Sequence, residues 1–358
     1  MSSSTAYPTT FPVPTRFVRI GKRRFTWDLP RSFPGYFADT SKQVLGAATK
    51  YVIRTNDPTR PEYLVKYAQK HGRRETYTEF FINQLGLVLG FKMAHSGLIL
   101  LDGTPAFITR IFTSADETLR HGSLIIEDYF KDEQLKETKE LDNVGRGEEQ
   151  AFYSIDFVTN LLKAFCRDDF DALFPDFIEM LIFDALIGSM DRHPQNWGVI
   201  GSILEPARYR FAPIFDSSRA LLWSLDDARV EKLLRDERAF RSHIYRAKPC
   251  IGPVRDHPKV NNCNHFDFVV NLLDLYPEPA TKALLKLSNA VEEKSAKLIS
   301  QFPFGGAFSA IRKRAIVKML ALRADILNQV LAKGGAHEET LAIQVQDAPA
   351  DSARSLPR

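Results

Sequence analysis

Gly188-Ser-Met-Asp-Arg-His-Pro-Gln-Asn-Trp-Gly198 is the stretch that decides how this 358-residue chain is read. It sets an acid, Asp191, and an amide, Asn196, five positions apart, with Arg192 and His193 between them. An apolar run with helical spacing, 174–187, leads in, and a short β-type run, 197–200, leads out. A second acid closes Phe211-Ala-Pro-Ile-Phe-Asp216, at the end of the next apolar strand. The order is helix, polar loop, strand, return strand, strand-end carboxylate. Taken singly, Asp191 reads as a turn residue and Asp216 as a helix N-cap. Taken together with Asn196, in this order, they match the parts that move a phosphoryl group to a hydroxyl. One carboxylate orients the hydroxyl and accepts its proton, while an amide and a second carboxylate hold Mg²⁺ on the phosphates.

Upstream the pattern is mainly β. Residues 15–27 read as a hairpin around Gly21-Lys22, and 28–40, with two prolines and a glycine, as loop. Strands are expected at 51–55 and 63–67 around the turn Asn56-Asp-Pro-Thr59. A helix follows at 75–89, with Phe81, Leu85 and Leu89 on one face and Gly90 as its C-cap. A hairpin spans 97–101 and 106–112 around Asp102-Gly103, and an apolar run, 124–130, ends in Glu127-Asp-Tyr-Phe130. Lys66 near a strand end and Glu79 on the next helix form the pair that positions nucleotide phosphates in protein kinases. Glu75, one turn earlier, competes for that role; taken alone these residues read as solvated surface charges, but alongside the downstream loop the nucleotide-positioning pair is the preferred reading. Ser41 to Lys50, with Gly46-Ala-Ala-Thr-Lys50, sits where a phosphate-covering loop belongs. Its small residues let backbone N–H groups approach phosphates and Lys50 adds charge. It is neither a Walker A sequence nor G-x-G-x-x-G, and an ordinary flexible loop accounts for it equally.

These segments predict an α+β, two-lobed chain: a flexible start at 1–14, a β-rich first lobe with one helix at 15–130, and a charged excursion at 131–149. A helical second lobe follows at 150–335, with helices at 151–165, 174–189, 226–240, 266–275, 280–300 and 308–331, then a disordered tail at 336–358. A cleft between such lobes is a natural nucleotide site.

Composition narrows the field. A net charge of +4 is mild for this length and does not mark a dedicated nucleic-acid binder. Three scattered cysteines, Cys166, Cys250 and Cys263, fit a reducing cytoplasm rather than a disulfide framework. Neither a secretory signal nor a membrane-spanning run is read. Cys250, His257, Cys263 and His265 lack the paired spacing of structural zinc sites, and no G-x-S-x-G elbow supports a triad hydrolase. Arg312-Lys313-Arg314, with Lys318 and Arg323, reads as a solvated helix face. Arg192 is expected to face substrate or solvent. His193 is expected to bond a neighbouring acid or shape the loop, and Arg219 to pair with a phosphate or carboxylate.

Asp191-Arg-His-Pro-Gln-Asn196, followed by Ala212-Pro-Ile-Phe-Asp216-Ser-Ser-Arg-Ala-Leu221, resembles the HipA-like bacterial serine/threonine kinases. Within them the short, cell-translocating CtkA-like branch is most similar, and the fold is related to the phosphatidylinositol 3-/4-kinases. The resemblance runs from 41 to 331. Leu64-Val-Lys66 resembles the ATP-lysine strand, Glu79 the helix acid, and Gly46 to Lys50 the phosphate loop. The likeness implies ATP and Mg²⁺, with Asp191 catalytic, Asn196 and Asp216 on the metal, Lys66 on ATP and His193 beside the nucleotide. It implies that Glu127 to Phe130, Tyr129 included, is the lobe hinge whose backbone binds adenine. The implied substrate is a protein bearing Ser or Thr, the chain itself included, with Ser41 and Thr49 the hydroxyls in the phosphate loop. D-R-H-x-x-N also looks like the lipid-kinase loop, so a lipid or small-molecule acceptor is the competing reading. A nucleotide-binding scaffold is the non-enzymatic one.

Overall fold

The computed structural model describes residues 18–20, 23–25, 36–39, 50–57, 59–66, 73–101, 104–132, 153–205, 208–254, 256–257, 262–287, 290–302 and 306–334. β1 (Val18–Ile20) and β2 (Arg23–Phe25) form the expected hairpin. β3 (Phe37–Asp39), β4 (Lys50–Arg54), β5 (Tyr63–Lys66), β6 (Ser96–Leu101) and β7 (Thr104–Arg110) form a five-stranded antiparallel sheet, ordered β3-β4-β5-β7-β6. β3 lies in a stretch read as loop. It is a three-residue edge strand, and an edge tolerates proline-rich flanks that an inner strand would not. Lys50 stands directly across from Lys66 in the β4–β5 register, so both side chains leave the same face at the same end.

α1 (Arg73–Leu89) follows β5, burying Phe80, Phe81 and Leu85. It ends on Gly90 at φ +86°, and Phe91 N donates to Gly86 O at 2.9 Å, closing the left-handed cap. Residues 111–116 carry the chain from β7 to β8 (Glu117–His121), which pairs with β9 (Gly198–Ser202) and through it with β10 (Tyr209–Phe211). The run ending in Glu127-Asp-Tyr-Phe130 is helical, α2 (Gly122–Asp132), so the first part of the chain carries two helices rather than one.

The second lobe is built around α4 (Phe170–Ile187), which is apolar on all sides and buried all round. α3 (Ile155–Cys166) precedes it. The helix expected at 226–240 is two, α5 (Asp227–Arg235) and α6 (Glu237–Tyr245). Asp236 leaves the helical conformation, and its carboxylate accepts from Ala239 N to cap the second. After α7 (His265–Leu275), the run expected at 280–300 is likewise α8 (Pro277–Leu285) and α9 (Val291–Ser300), parted at Ala290 with φ +67°. α10 (Ala310–Ala332) closes the fold before Gly334, φ +64°. Its basic residues are not all on a solvated face: Arg312 and Arg323 are buried.

One continuous apolar core runs through the helical lobe and takes in α1, while a smaller one of Ile53, Tyr63, Val65, Ile99, Ala106 and Ile108 covers the other face of the sheet. No helix among the described residues is long and apolar enough to cross a membrane. The expected flexible start, the Ser41 to Thr49 loop with Gly46, the charged excursion beyond Asp132 and the tail from 336 lie outside the described residues.

Candidate active site

Strand, helix and loop deliver four charged side chains to one point. Lys66 is the last residue of β5, and its Nζ lies 2.9 Å from Glu79 Oε2 on α1 and 2.6 Å from Asp216 Oδ1. Lys50, at the start of β4, places Nζ 3.1 Å from Asp216 Oδ2. Glu75, the competing acid, instead accepts from Ser218 Oγ at 3.4 Å. Burial favours the neutral amine at Lys66, but the Glu79 and Asp216 carboxylates more than offset it and hold the ammonium above its usual range. Asp216 is pushed up by burial and pulled down further by Lys66 and Lys50, so it stays ionised. Glu79 is pushed up by burial against the attraction of Lys66.

The polar loop leaves α4 through Gly188, φ +67°. Asn196 ends a 3-10 turn, Pro194–Asn196, and its Nδ2 donates to Asp191 O at 2.7 Å. That bond closes the loop on itself and leaves the amide oxygen of Asn196 without a hydrogen bond among the described residues. The Asp191 carboxylate accepts from Arg219 Nη1 at 3.1 Å, with His193 Nε2 at 3.9 Å. Arg219 lies over the Trp223 ring, 5.7 Å from its centroid. His193 Nδ1 accepts from Gln195 N, so this histidine shapes the loop and stands near its acid.

Arg192 corrects the sequence expectation. It faces neither substrate nor solvent, being 2% exposed. All five of its N–H donors are used. Nε and Nη2 clamp Asp184 of α4 at 2.8 Å each; Nη1 reaches Asn196 O at 2.6 Å and Phe215 O at 2.8 Å; Nη2 reaches Ser217 Oγ at 3.0 Å. Burial disfavours its charge, and the Asp184 carboxylate more than restores it. A usable signal was present: Asp184 is the lone acid in the apolar run 180–187, and a buried acid needs a partner.

This guanidinium ties the loop carrying Asn196 to the segment carrying Asp216. Asp216 does not end a strand. β10 stops at Phe211, Ile214 makes one parallel bridge to Met93, and Asp216 follows at φ +52°, in the left-handed region. Asn196 and Asp216 thus offer an amide oxygen and an ionised carboxylate from neighbouring loops. That donor set suits Mg²⁺, which is held by few protein oxygens beside substrate phosphates and water.

The expected hinge is not where it was placed. Glu127 and Tyr129 lie on α2, whose own hydrogen bonds take up both backbone groups of Glu127 and the N–H of Tyr129. Glu127 is exposed, and the Tyr129 ring packs on Phe157, 6.4 Å between centroids. The connection between the two sheets is the segment 111–116 instead.

Comparison with known proteins bears on the family and the fold. Residues 43–252 match the family described as the HipA-like C-terminal domain. The serine/threonine-protein kinase CtkA of Helicobacter pylori is 27% identical over 177 residues, 49% of this chain and 50% of that protein, so the match spans about half of the relative's length. The crystal structure of an H. pylori proinflammatory kinase CtkA superposes with a TM-score of 0.65 at 20% identity, covering 86% of this chain and 97% of that one. HipA in a HipA–HipB–operator DNA complex from Shewanella oneidensis gives a TM-score of 0.50 at 13% identity, covering 82% and 66%. The two-lobed α+β fold is shared with both.

Proposed function

As the chain belongs to the HipA-like C-terminal domain family, we propose that it is an ATP- and Mg²⁺-dependent protein serine/threonine kinase. The observation that carries this reading is the convergence of Lys66, Glu79 and Asp216, from a strand, a helix and a loop, within 2.9 Å of one amine. Lys66, oriented by Glu79, neutralises nucleotide phosphate charge, and Lys50 adds a second cation from the neighbouring strand. Asn196 and Asp216 hold the metal, which when bound neutralises charge on the phosphate oxygens. With the metal bound, Asp216 would be one of its ligands, and Lys50 and Lys66, now its partners, would be available to the phosphates. Asp191, steered by Arg219 and by the loop closure at Asn196, orients the acceptor hydroxyl and takes its proton. The acceptor is a serine or threonine of a protein, Ser41 and Thr49 of this chain among them.

The purified chain, incubated with labelled ATP and Mg²⁺ and offered protein, phosphoinositide and aminoglycoside acceptors, tests this. Label is expected on protein hydroxyls, mapped by mass spectrometry, and lost in Asp191→Asn and Asp216→Asn. Label on lipid or aminoglycoside alone would move the activity to another acceptor class. Equal labelling by both variants would remove the site assignment.

A further inference from the structure

A helix leaves its last carbonyls without partners of its own, and α4 ends at Ile187, just before the loop that carries Asp191. The groups at that end are answered from several directions. Asp184 O accepts from Gly188 N and from Ser189 N, the latter at 3.0 Å, and Ile187 O accepts from Leu221 N at 3.0 Å. Ala185 O takes two hydrogen bonds from Arg323 of α10, from Nε at 2.8 Å and Nη2 at 2.6 Å. Arg323 Nη1 donates to Ile244 O of α6 at 2.9 Å, and the guanidinium lies over the Phe266 ring, 4.8 Å from its centroid. Ser189 O is 2.8 Å from Nε2 of buried His265 on α7, so that nitrogen carries the proton.

Arg323 is fully buried, and among the described residues its partners are carbonyls and a ring, with no carboxylate. Burial pulls its pKa down to about 9. Removing Arg323 would orphan the carbonyls of Ala185 and Ile244, so a stability cost is expected, and only a readout on the loop separates packing from positioning. Its place is informative: it stands at the negative end of α4. A Cβ on Gly188 would come within 3.2 Å of Arg323 Cζ, so the side chain also underlies the left-handed turn that starts the loop. Arg323 and His265 both lie beyond the family-matched stretch, 43–252. The matched stretch alone would leave Ala185 O and Ser189 O without these donors.

We propose that Arg323, assisted by His265, is a positioning residue: it fixes the carboxyl end of α4 so that the loop 188–196 presents Asp191 to the acceptor hydroxyl. This rests on the reading of Asp191 given above. Arg323 makes no hydrogen bond to Lys66, Asp216 or Asn196, and Asn196 is held separately by Arg192, so loss of Arg323 is expected to lower turnover far more than nucleotide affinity.

The full-length chain is compared with Arg323→Met, Arg323→Lys and His265→Phe, with Leu320→Ala as a buried control on the same helix. Melting temperature, kcat and KM for ATP well below every melting point, and amide exchange over 186–197 and over α1 are measured. Arg323→Met is expected to lower kcat about tenfold or more with KM for ATP within about twofold. Amides of 186–197 exchange faster in it and those of α1 do not. Arg323→Lys recovers part of the rate, and His265→Phe shows the same split in smaller measure. Leu320→Ala lowers the melting point without either change. Unchanged kcat and unchanged loop exchange in Arg323→Met would overturn the proposal, and if that variant does not fold, Arg323→Lys and His265→Phe decide by the same readouts. Were the wild-type chain to transfer no phosphoryl group, the kinase reading would fall, and loop exchange alone would still decide whether Arg323 holds the loop.

Discussion

Two clusters of buried charge flank Asp216, and they are built on different terms. On the sheet side, Lys50, Lys66, Glu79 and Asp216 are joined by cation–carboxylate contacts, two charges of each sign. On the helical side, Arg192 gives two donors to Asp184 and three to neutral oxygens: two backbone carbonyls and a hydroxyl. Charges that meet charges can change partners when a polyanion and a metal arrive. A guanidinium whose donors end on buried carbonyls cannot move without orphaning them, at about 1–3 kcal/mol each. On the proposed function the first cluster serves as a binding surface and the second as a fixture. Asp216 belongs to the first, while the carbonyl before it and the hydroxyl after it are gripped by the second. That grip accounts for a left-handed aspartate, a conformation that carries a cost of about 1–3 kcal/mol and persists only where its surroundings impose it.

Asp216→Asn strikes where the clusters meet. Asparagine tolerates the left-handed region, so the fold should survive while the proposed metal ligand and the partner of both lysines are weakened. Phosphoryl transfer is expected to fall about 10³-fold, read from initial rates, with circular dichroism unchanged. A rate near wild type would reduce the sheet-side cluster to an ordinary ion-pair network.

Arg192→Met tests the fixture. The loss is expected to be about 3–5 kcal/mol by urea denaturation, because a buried pair is broken. Asp184 can take up a proton, but the carbonyls of Asn196 and Phe215 cannot. Lys66→Met should cost less than half of that, since Glu79, already pushed up by burial, protonates readily; its mark is a KM for ATP raised about tenfold. Equal destabilisation by the two variants would erase the distinction between surface and fixture.

The same distinction explains what the sequence made legible. Lys66 and Glu79 could be paired in advance because a strand end and a helix turn each have a local period, and thirteen residues separate them. The spacing of Asp191 and Asn196 is local too, and so were α1, its glycine cap and the β6–β7 hairpin. Arg192 was legible only in part: the lone acid Asp184 called for a buried cation, but its five acceptor atoms come from α4, its own loop and the segment around Asp216, and only the fold brings those together. Arg323 was hidden likewise: a basic helix looks solvated until the carbonyls at the end of α4 are known to lie against it. The breaks at Asp236 and Ala290 were missed because neither residue is glycine or proline, and the hinge was misplaced because an apolar run followed by acids suits a helix as well as a strand end.

The smallest expected effect concerns pH, and it separates stability from activity within the sheet-side cluster. Burial pushes the Glu79 carboxyl up to about 7, with Lys66 pulling the other way. The folded chain thus binds that proton more tightly than the unfolded chain does. Glu79's share of stability is present below the ordinary carboxylate range and is lost as pH rises through about 7. Asp216 has the opposite sign: held down by the two lysines against burial, its share is present above the ordinary aspartate value and is lost only in strong acid. Activity should follow the charged form of Glu79, because only the carboxylate orients Lys66. Between about pH 6 and 8, the melting temperature should therefore drift down by a few degrees while kcat/KM for ATP rises. Glu79→Gln retains a hydrogen-bonding group but cannot titrate, so both slopes should flatten in that variant. Should the acid limb of kcat/KM survive in Glu79→Gln, the titrating group lies elsewhere, and the sheet-side cluster holds its lysine without needing this charge.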